Sequence, residues 1–408
     1  MGRLGLFFSC LAAFGVGCQS RVPVSTDSAV SFDGSLHDSS SFFDAPAGEA
    51  GLSDAFADTL GACQQLSVLG TATLGTVPNN YNVNADLAHD GSGFGTVWIS
   101  DQNSPSSTSG QLLFSKVDYA ANVLSPKDVL IANGAMKFPK PLLLFQNGEY
   151  LVFYHTSTSA VFARLDGQGK VLATYDNIGA VDAVALAGNG SGFAVLYALK
   201  QPGASSLVFA QIGNAGFSGS QTISSGSYYG YLWLHQTATG YAAAWGDTFA
   251  ILSSTGSTVG TPKTIGGEAV GAWAYAVAPT GFALAYARDD FTIEAVLLDA
   301  SGEPQGQPQS IAQANIGAAP LQQVFLHRFG GYYALAYPAA EPGGIPHVQL
   351  LDDALKPVGP AVELPSCLAF SMTPVSMAAG NDRLAVAHIG GLSGPPGSAI
   401  CAAVLQCQ

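Results

Sequence analysis

The chain has 408 residues, of which only 10% are charged, and its formal net charge at pH 7 is −14. Its 14 lysine and arginine residues are scattered along the whole length, which excludes the clustered basic face that nucleic-acid binding needs. Because it has 49 glycines and few charges, its surface must consist largely of small and uncharged polar side chains. Such a composition favours tightly turned strands.

The first 17 residues have the form of an export signal. Arg3 provides a basic start, residues 4–17 form an apolar run that is too short to span a bilayer, and small residues precede Cys18. This segment resembles a bacterial lipoprotein signal, with Gly15 where that family usually has leucine. The resemblance implies that residues 1–17 are removed and that Cys18 is acylated, palmitate included.

Gln19 resembles the sorting signal for the outer membrane in that family. We therefore expect an exported outer-membrane lipoprotein for which the membrane is a partner through the lipid anchor. An ordinary secretory signal with a nearby cleavage site is the alternative, and it predicts a periplasmic or extracellular protein.

Residues 18–62 are predicted to form a flexible, acidic stalk. They are rich in Ser, Ala, Gly and Asp, and they hold seven acidic residues against the single basic Arg21. Like charges repel one another and small polar side chains bury little surface, so this segment is expected to stay extended and solvated. The stalk would hold a folded domain, residues 63–408, away from the membrane.

One pattern recurs seven times in residues 63–408, at intervals of 41 to 56 residues: an aromatic residue, three mostly small or aliphatic residues, and a second aromatic. The pairs are Phe94/Trp98, Tyr150/Tyr154, Phe193/Tyr197, Tyr241/Trp245, Phe282/Tyr286, Tyr333/Tyr337 and a degraded Leu384/His388. The interval is typical of a four-stranded structural repeat. In the fifth repeat, strands are predicted over 272–278, 282–287, 293–298 and 307–312.

The second strand of each repeat is apolar on both faces, as in Phe193–Tyr197, and must therefore be covered on both sides. Sheets stacked face to face around an axis meet this requirement. The predicted fold is all-β, a seven-bladed β-propeller. A tandem pair of β-sandwiches is the alternative, but it would not need one pattern at one period.

The seventh repeat contains only three strands, predicted near 370–378, 384–389 and 400–405. Residues 65–74, which precede the first repeat, have strand character and no other predicted role. We predict that this N-terminal strand completes the last blade and closes the ring.

Four of the six cysteines remain once Cys10 leaves with the signal and Cys18 takes the lipid. Four thiols in an exported chain imply two disulfides, and their pairing is open on sequence alone. The predicted seam between the chain ends favours bonds between Cys63 and Cys407 and between Cys367 and Cys401.

The repeat also has a glycine before the first aromatic, an acidic residue soon after the second, and an apolar strand that ends in Leu-Asp-x-x-Gly-x-Pro. This pattern resembles the propeller-type repeats of bacterial envelope lipoproteins, over residues 63–408. The resemblance implies a fold, and it implies little about function beyond binding.

The sequence contains no HExxH, P-loop, GxSxG or D-x-D-x-D-G motif, and no Cys/His spacing that suits zinc. It therefore indicates no catalytic residue and no dedicated metal site. Three histidines, His89, His235 and His327, are predicted near the ends of innermost strands. Their blades are not adjacent, so we expect isolated histidines that pack or line the channel.

The loops after the second strands carry charged and polar side chains, and in a propeller these loops open on one rim. The candidate binding rim consists of Asp101, His155, Asp247, Arg288, Asp289, Asp290 and Glu341, with Lys200 in the third repeat. Carboxylates there would suit a cationic or hydroxyl-rich ligand, a Ca²⁺ ion, or general acid and base chemistry. Alternatively, these acids only cap exposed turns and keep the surface soluble.

The sequence thus predicts a lipid-anchored binding or interaction module of the cell envelope, more readily than an enzyme. An envelope protein or a glycan is the expected partner at the rim, and we expect a monomer. No cofactor is expected, and Ca²⁺ is the one ion that the rim would suit. Two other functions stay open: an extracellular polysaccharide hydrolase or lyase that uses rim acids, and a structural spacer without a small ligand.

Overall fold

The computed structural model describes residues 63–78, 84–100, 109–136, 139–176, 178–201, 204–226, 231–265, 269–314, 324–340, 344–367, 370–380, 382–391 and 397–408. The predicted signal, stalk and acylation site at Cys18 lie outside these residues. A search of these ranges for a helix of membrane-spanning length and hydropathy finds none.

The strands in chain order are β1 (Leu66–Pro78), β2 (Ala85–His89), β3 (Gly93–Ser100), β4 (Ser109–Asp118), β5 (Val129–Met136), β6 (Leu142–Gln146), β7 (Glu149–His155), β8 (Ala160–Leu165), β9 (Val171–Tyr175), β10 (Val181–Gly188), β11 (Phe193–Leu199), β12 (Ser205–Gly213), β13 (Gly216–Gly226), β14 (Leu232–Thr237), β15 (Gly240–Trp245), β16 (Thr248–Ser253), β17 (Thr258–Thr264), β18 (Ala269–Ala278), β19 (Gly281–Arg288), β20 (Thr292–Asp299), β21 (Gln309–Gln313), β22 (Phe325–Phe329), β23 (Tyr332–Pro338), β24 (Pro346–Leu351), β25 (Pro357–Glu363), β26 (Phe370–Ala379), β27 (Arg383–Gly391) and β28 (Gly397–Cys407). In the fifth repeat the strand ends differ from the predicted ones by up to three residues.

The strands form seven four-stranded antiparallel sheets. Blades 1 to 6 are each built from four consecutive strands, starting with β2–β5 and ending with β22–β25. The first strands of neighbouring blades contact one another all the way round, from β2 and β6 to β26 and β2, so these strands line the axis. The fold is a seven-bladed β-propeller, as predicted.

Blade 7 joins the two ends of the described domain. Its strand order is β26-β27-β28-β1, and β1 pairs antiparallel with β28 from Leu66 opposite Cys407 to Pro78 opposite Gly397. Disulfides link Cys63 to Cys407 and Cys367 to Cys401. The predicted closing strand and the favoured disulfide pairing are therefore confirmed.

Seven clusters of buried apolar side chains fill the seven spaces between neighbouring blades. In β19, Phe282 and Tyr286 pack against blade 4, whereas Ala283 and Ala285 between them pack against blade 6. Alternate residues of a strand point to opposite faces, so aromatics four residues apart share one face. The repeated pattern thus places the aromatic pair of each of blades 1 to 6 against the preceding blade.

The turn between the third and fourth strands has one design in five blades. Main-chain hydrogen bonds close it over 118–122, 166–170, 253–257, 299–303 and 352–356. The first side chain accepts hydrogen bonds from the main chain two and four residues later, as Asp299 does from Ser301 at 2.8 Å and Glu303 at 2.9 Å. The fourth residue has a positive φ; these residues are Ala121, Gly169, Gly256, Gly302 and Leu355.

Blade 3 departs from this design. Gly213 pairs directly with Gly216, which leaves a two-residue hairpin between β12 and β13. This shorter turn changes the outer part of the junction between blades 2 and 3.

Candidate functional site

The loops that join second to third strands open on the face where the innermost strands begin, because neighbouring strands are antiparallel. We call this the upper face. Of the predicted rim residues, Asp101 and Glu341 lie outside the described residues. The structure places His155, Asp247, Arg288, Asp289 and Asp290 on the upper face.

One predicted rim residue, His155, lies beside charged groups of the next blade. His155 ends β7 of blade 2, and Asp182 lies near the start of β10, the innermost strand of blade 3. Asp182 Oδ2 accepts a hydrogen bond from Ser205 Oγ at 3.0 Å, and Lys200 Nζ lies 3.7 Å from Oδ1. A carboxylate and an ammonium group of blade 3 therefore lie within electrostatic reach of an imidazole of blade 2.

The electrostatics of this junction keep the imidazole neutral. Burial lowers the pKa of His155 below its ordinary value of 6.5, the Asp182 charge opposes that shift, and Lys200 adds to it. Lys200 itself is exposed. At pH 7 the junction thus offers a neutral imidazole and a solvent-accessible cation next to a half-buried carboxylate.

The predicted rim residues of blade 5 interact within their own turn. Arg288 Nη1 donates to Glu294 Oε1 at 3.1 Å, and Tyr286 Oη donates to Glu294 Oε2 at 2.7 Å. Asp290 Oδ1 accepts a hydrogen bond from Thr292 N at 2.9 Å, and this bond lowers the pKa of the exposed Asp290. Asp289 is also exposed. Asp290 therefore stabilises the turn in which it lies.

The acid of blade 4 has a similar local setting. Asp247 is exposed, its Oδ1 accepts a hydrogen bond from Thr248 Oγ1 at 3.2 Å, and its carbonyl accepts one from Ile265 N at 2.7 Å. The Asp247 charge also contributes to raising the pKa of Tyr275 on β18, after burial and the nearby Tyr231. Asp247 thus lies at the join of blades 4 and 5.

A buried carboxylate that the sequence analysis missed connects three blades near the axis. Asp86 of β2 accepts hydrogen bonds from Leu143 N in blade 2 at 2.7 Å and from Ser376 Oγ in blade 7 at 2.5 Å. Lys140 Nζ lies 3.5 Å from the same carboxylate and donates to Val375 O at 3.1 Å. Because every group has a partner, this network holds blades 7, 1 and 2 together.

A local signal for Asp86 and Asp182 was present in the sequence. Each is a single acidic residue inside the apolar run of an innermost strand. A charge in such a position is costly unless it is paired, so it marks a contact with another element. The partners of Asp86 come from other blades and those of Asp182 from later residues of blade 3, so neither set could be read from the same run.

Two of the three histidines singled out in the sequence come near each other. His235 of blade 4 and His327 of blade 6 are partly exposed on innermost strands, and desolvation lowers the pKa of each to about 4. The charge of His327 would further lower the pKa of His235. His89 instead lies 2.7 Å from Tyr119 Oη in blade 1. Among the described residues, no three His, Cys, Asp or Glu side chains are placed to hold a metal ion.

Comparisons with known proteins bear on the fold. No protein-family model matches the chain, and no curated protein matches it. A chain in a crystal structure of the mitotic checkpoint complex is similar over 82% of this chain and 93% of that chain, with a TM-score of 0.50 and 10% identity. At this identity the likeness concerns the fold alone.

Two further solved structures are similar at lower TM-scores. The Pan2 WD40 domain of Neurospora crassa matches 82% of this chain and 96% of its own, at a TM-score of 0.48 and 11% identity. A mutant of AofleA from Arthrobotrys oligospora matches 74% of this chain and 92% of its own, at a TM-score of 0.44 and 10% identity.

Proposed function

We propose that this chain is an exported, lipid-anchored binding module of the bacterial cell envelope. Its partner, an envelope protein or a glycan, would meet the upper face where blades 2 and 3 join. The observation that carries the proposal is the Asp182–Lys200 pair of blade 3, which lies within electrostatic reach of His155 in blade 2. They combine a partly buried imidazole, a carboxylate and an accessible cation on a rigid sheet framework, which suits recognition of a polar partner.

Export is supported by chemistry at both ends of the chain. Disulfides persist mainly in oxidising compartments outside the cytosol, and this domain has two. The resemblance of residues 1–18 to a lipoprotein signal supports anchoring, and the acidic composition of residues 18–62 supports a solvated tether. No cofactor is required for such a role, and the module would act as a monomer.

Binding is tested with the full chain, purified after export, and isolated envelope fractions immobilised on a biosensor. We expect saturable binding that falls about thirtyfold in the double variant His155→Ala, Lys200→Ala, since two lost polar contacts of roughly 1 kcal/mol each sum to about 2 kcal/mol. Lys356→Ala is the matched control, because Lys356 is exposed in a turn on the opposite face. Equal binding by the double variant and the control would overturn the assignment of this site.

Anchoring is tested by metabolic labelling with an alkyne analogue of palmitate, followed by membrane fractionation. The wild-type chain should carry the label and sediment with the outer membrane, whereas Cys18→Ser should lose both properties. Cys10→Ser, within the predicted signal, is the control and should keep them. A labelled Cys18→Ser chain would contradict anchoring at this residue.

A further inference from the structure

A lateral groove of about 550 Å³ runs between the outer strands of blades 2 and 3. It is lined by β9 and the residues that follow it on one side, and by β11, β12 and β13 on the other. Its chemistry is set by Tyr175, Asp176, Tyr197, Leu199, Phe217 and Ser220. Neither the sequence pattern nor the rim assignment predicted this groove.

The short turn of blade 3 explains why this junction differs from others. At three other junctions the fourth turn residue, a glycine, packs on a phenylalanine in the third strand of the preceding blade, as Gly302 does on Phe249. Here Phe162, the corresponding ring of blade 2, is contacted edge-on by Phe217 at a centroid distance of 5.4 Å. The two-residue hairpin thus brings an aromatic ring to the junction in place of a turn glycine.

The aromatic wall is held in place by contacts within the described residues. Tyr175 Oη donates to Gly213 O at 3.2 Å, and its ring meets Phe217 edge-on at 6.2 Å. Gly179 and Ala180, just before β10, are held as well, because Ala160 N donates to Gly179 O at 2.8 Å and Lys200 N donates to Ala180 O at 2.9 Å. The rings therefore need little rearrangement to receive a ligand.

Asp176 is the one charged side chain among the groove-lining residues, and Arg164, which is ion-paired to Glu149 at 2.6 Å, lies beside Tyr175. Asp176 is exposed at the groove, and no described residue forms a hydrogen bond or an ion pair with its carboxylate. Its charge contributes to raising the pKa of Tyr154, after burial. The eleven lining residues include no lysine, arginine or histidine, and the whole chain carries a net charge of −14.

We propose that the lateral groove binds a compact organic cation, such as a quaternary ammonium group. Aromatic faces attract cations through the ring quadrupole, and a nearby carboxylate adds Coulomb attraction. The negative field of the chain raises the local concentration of such ligands. This site is separate from the rim contact proposed above and does not depend on it.

The test is isothermal titration calorimetry of the full chain, purified after export, with choline chloride at constant ionic strength. The neutral carbon isostere of choline, 3,3-dimethylbutan-1-ol, and methyl glucoside serve as uncharged probes. We expect choline to bind, and both uncharged probes to bind at least about tenfold more weakly, because they lack the charge that the rings and Asp176 attract.

Two groove variants and a matched control locate the site. Asp176→Asn should weaken choline binding about tenfold, and Ser220→Tyr, on the exposed face of an edge strand, should abolish it by filling the groove. Asp128→Asn removes the same charge from an exposed turn in blade 1 and should leave binding unchanged. All three positions are exposed, so unfolding temperatures should match that of the wild type.

Three results would overturn the proposal: no choline binding by the wild-type chain, equal affinity for an uncharged probe, or equal weakening by Asp128→Asn and Asp176→Asn. The second result would indicate a hydroxyl-rich or apolar ligand, and the third a diffuse surface charge effect.

Discussion

Certain turn glycines are required for two independent physical reasons. Gly302 has a φ of +86°, which L-residues with a Cβ adopt only at a cost, and a Cβ there would overlap the ring of Phe249. The same contact recurs between Gly169 and Phe114 and between Gly256 and Phe209. The glycine therefore serves both the turn and the packing of two blades.

We expect Gly302→Ala to lower the free energy of unfolding by roughly 2 to 4 kcal/mol, as the sum of backbone strain and overpacking. Gly91→Ala is the matched control, because Gly91 has a φ of +85° and no neighbouring atom near the added Cβ. In Gly91→Ala the free energy of unfolding should fall only by the cost of backbone strain, roughly 1 to 2 kcal/mol. Urea denaturation measures both, and equal losses would exclude the ring contact as a cause.

At the scale of strands, the seam in blade 7 differs from every other strand pairing. β1 is the first of these strands in the sequence and β28 is the last, yet the two strands pair over the full length of β1. Gln64 N donates to Gln408 O at 2.9 Å, and the bond between Cys63 and Cys407 lies next to this contact. The circle of blades is thus closed at one place by both a pair of hydrogen-bonded strands and a disulfide bond.

Removing the disulfide between Cys63 and Cys407 at the seam should lower the free energy of unfolding more than removing the one between Cys367 and Cys401. The linked residues are separated by 344 positions in the seam and by 34 between Cys367 and Cys401. In the chain-entropy model this difference in loop length corresponds to about 2 kcal/mol.

Urea denaturation without reductant would compare Cys63→Ala, Cys407→Ala with Cys367→Ala, Cys401→Ala. If the seam variant lost no more stability than the other, restriction of the unfolded chain would not account for the role of the seam bond.

At the scale of the whole molecule, three histidines with lowered pKa values make the propeller sensitive to acid. Burial lowers the pKa of His235, His327 and His388, in blades 4, 6 and 7, to about 4. In the unfolded chain a histidine titrates near 6.5. As the pH falls below 6.5, the unfolded state binds protons first, so stability is lost between pH 6.5 and pH 4.

His388 offers the cleanest measurement because its side chain is fully buried. We expect it alone to account for about 3 kcal/mol of the loss between pH 7 and pH 4. The pH dependence of the unfolding free energy should therefore be shallower in His388→Leu than in the wild type. Urea denaturation at pH 7, 5.5 and 4 tests this, and parallel profiles would contradict it.

The anchor pairs predicted the number of blades because their information is local. A ring at Phe282 and another at Tyr286 must share one face of a strand, and blades 1 to 6 each consist of one continuous stretch of chain. The closing strand followed from counting, since the seventh repeat lacked a fourth strand and residues 65–74 had strand character. The two disulfide pairs followed from that seam.

The contacts between blades were decided only by the tertiary structure. Asp86 meets Leu143 and Ser376 across 57 and 290 residues of sequence. His155 comes within electrostatic reach of Asp182, and the lateral groove lies beside the two-residue hairpin of blade 3. A repeat pattern determines the face of its own sheet on which each side chain lies. The residue that it contacts on the next sheet depends on how the blades pack around the axis.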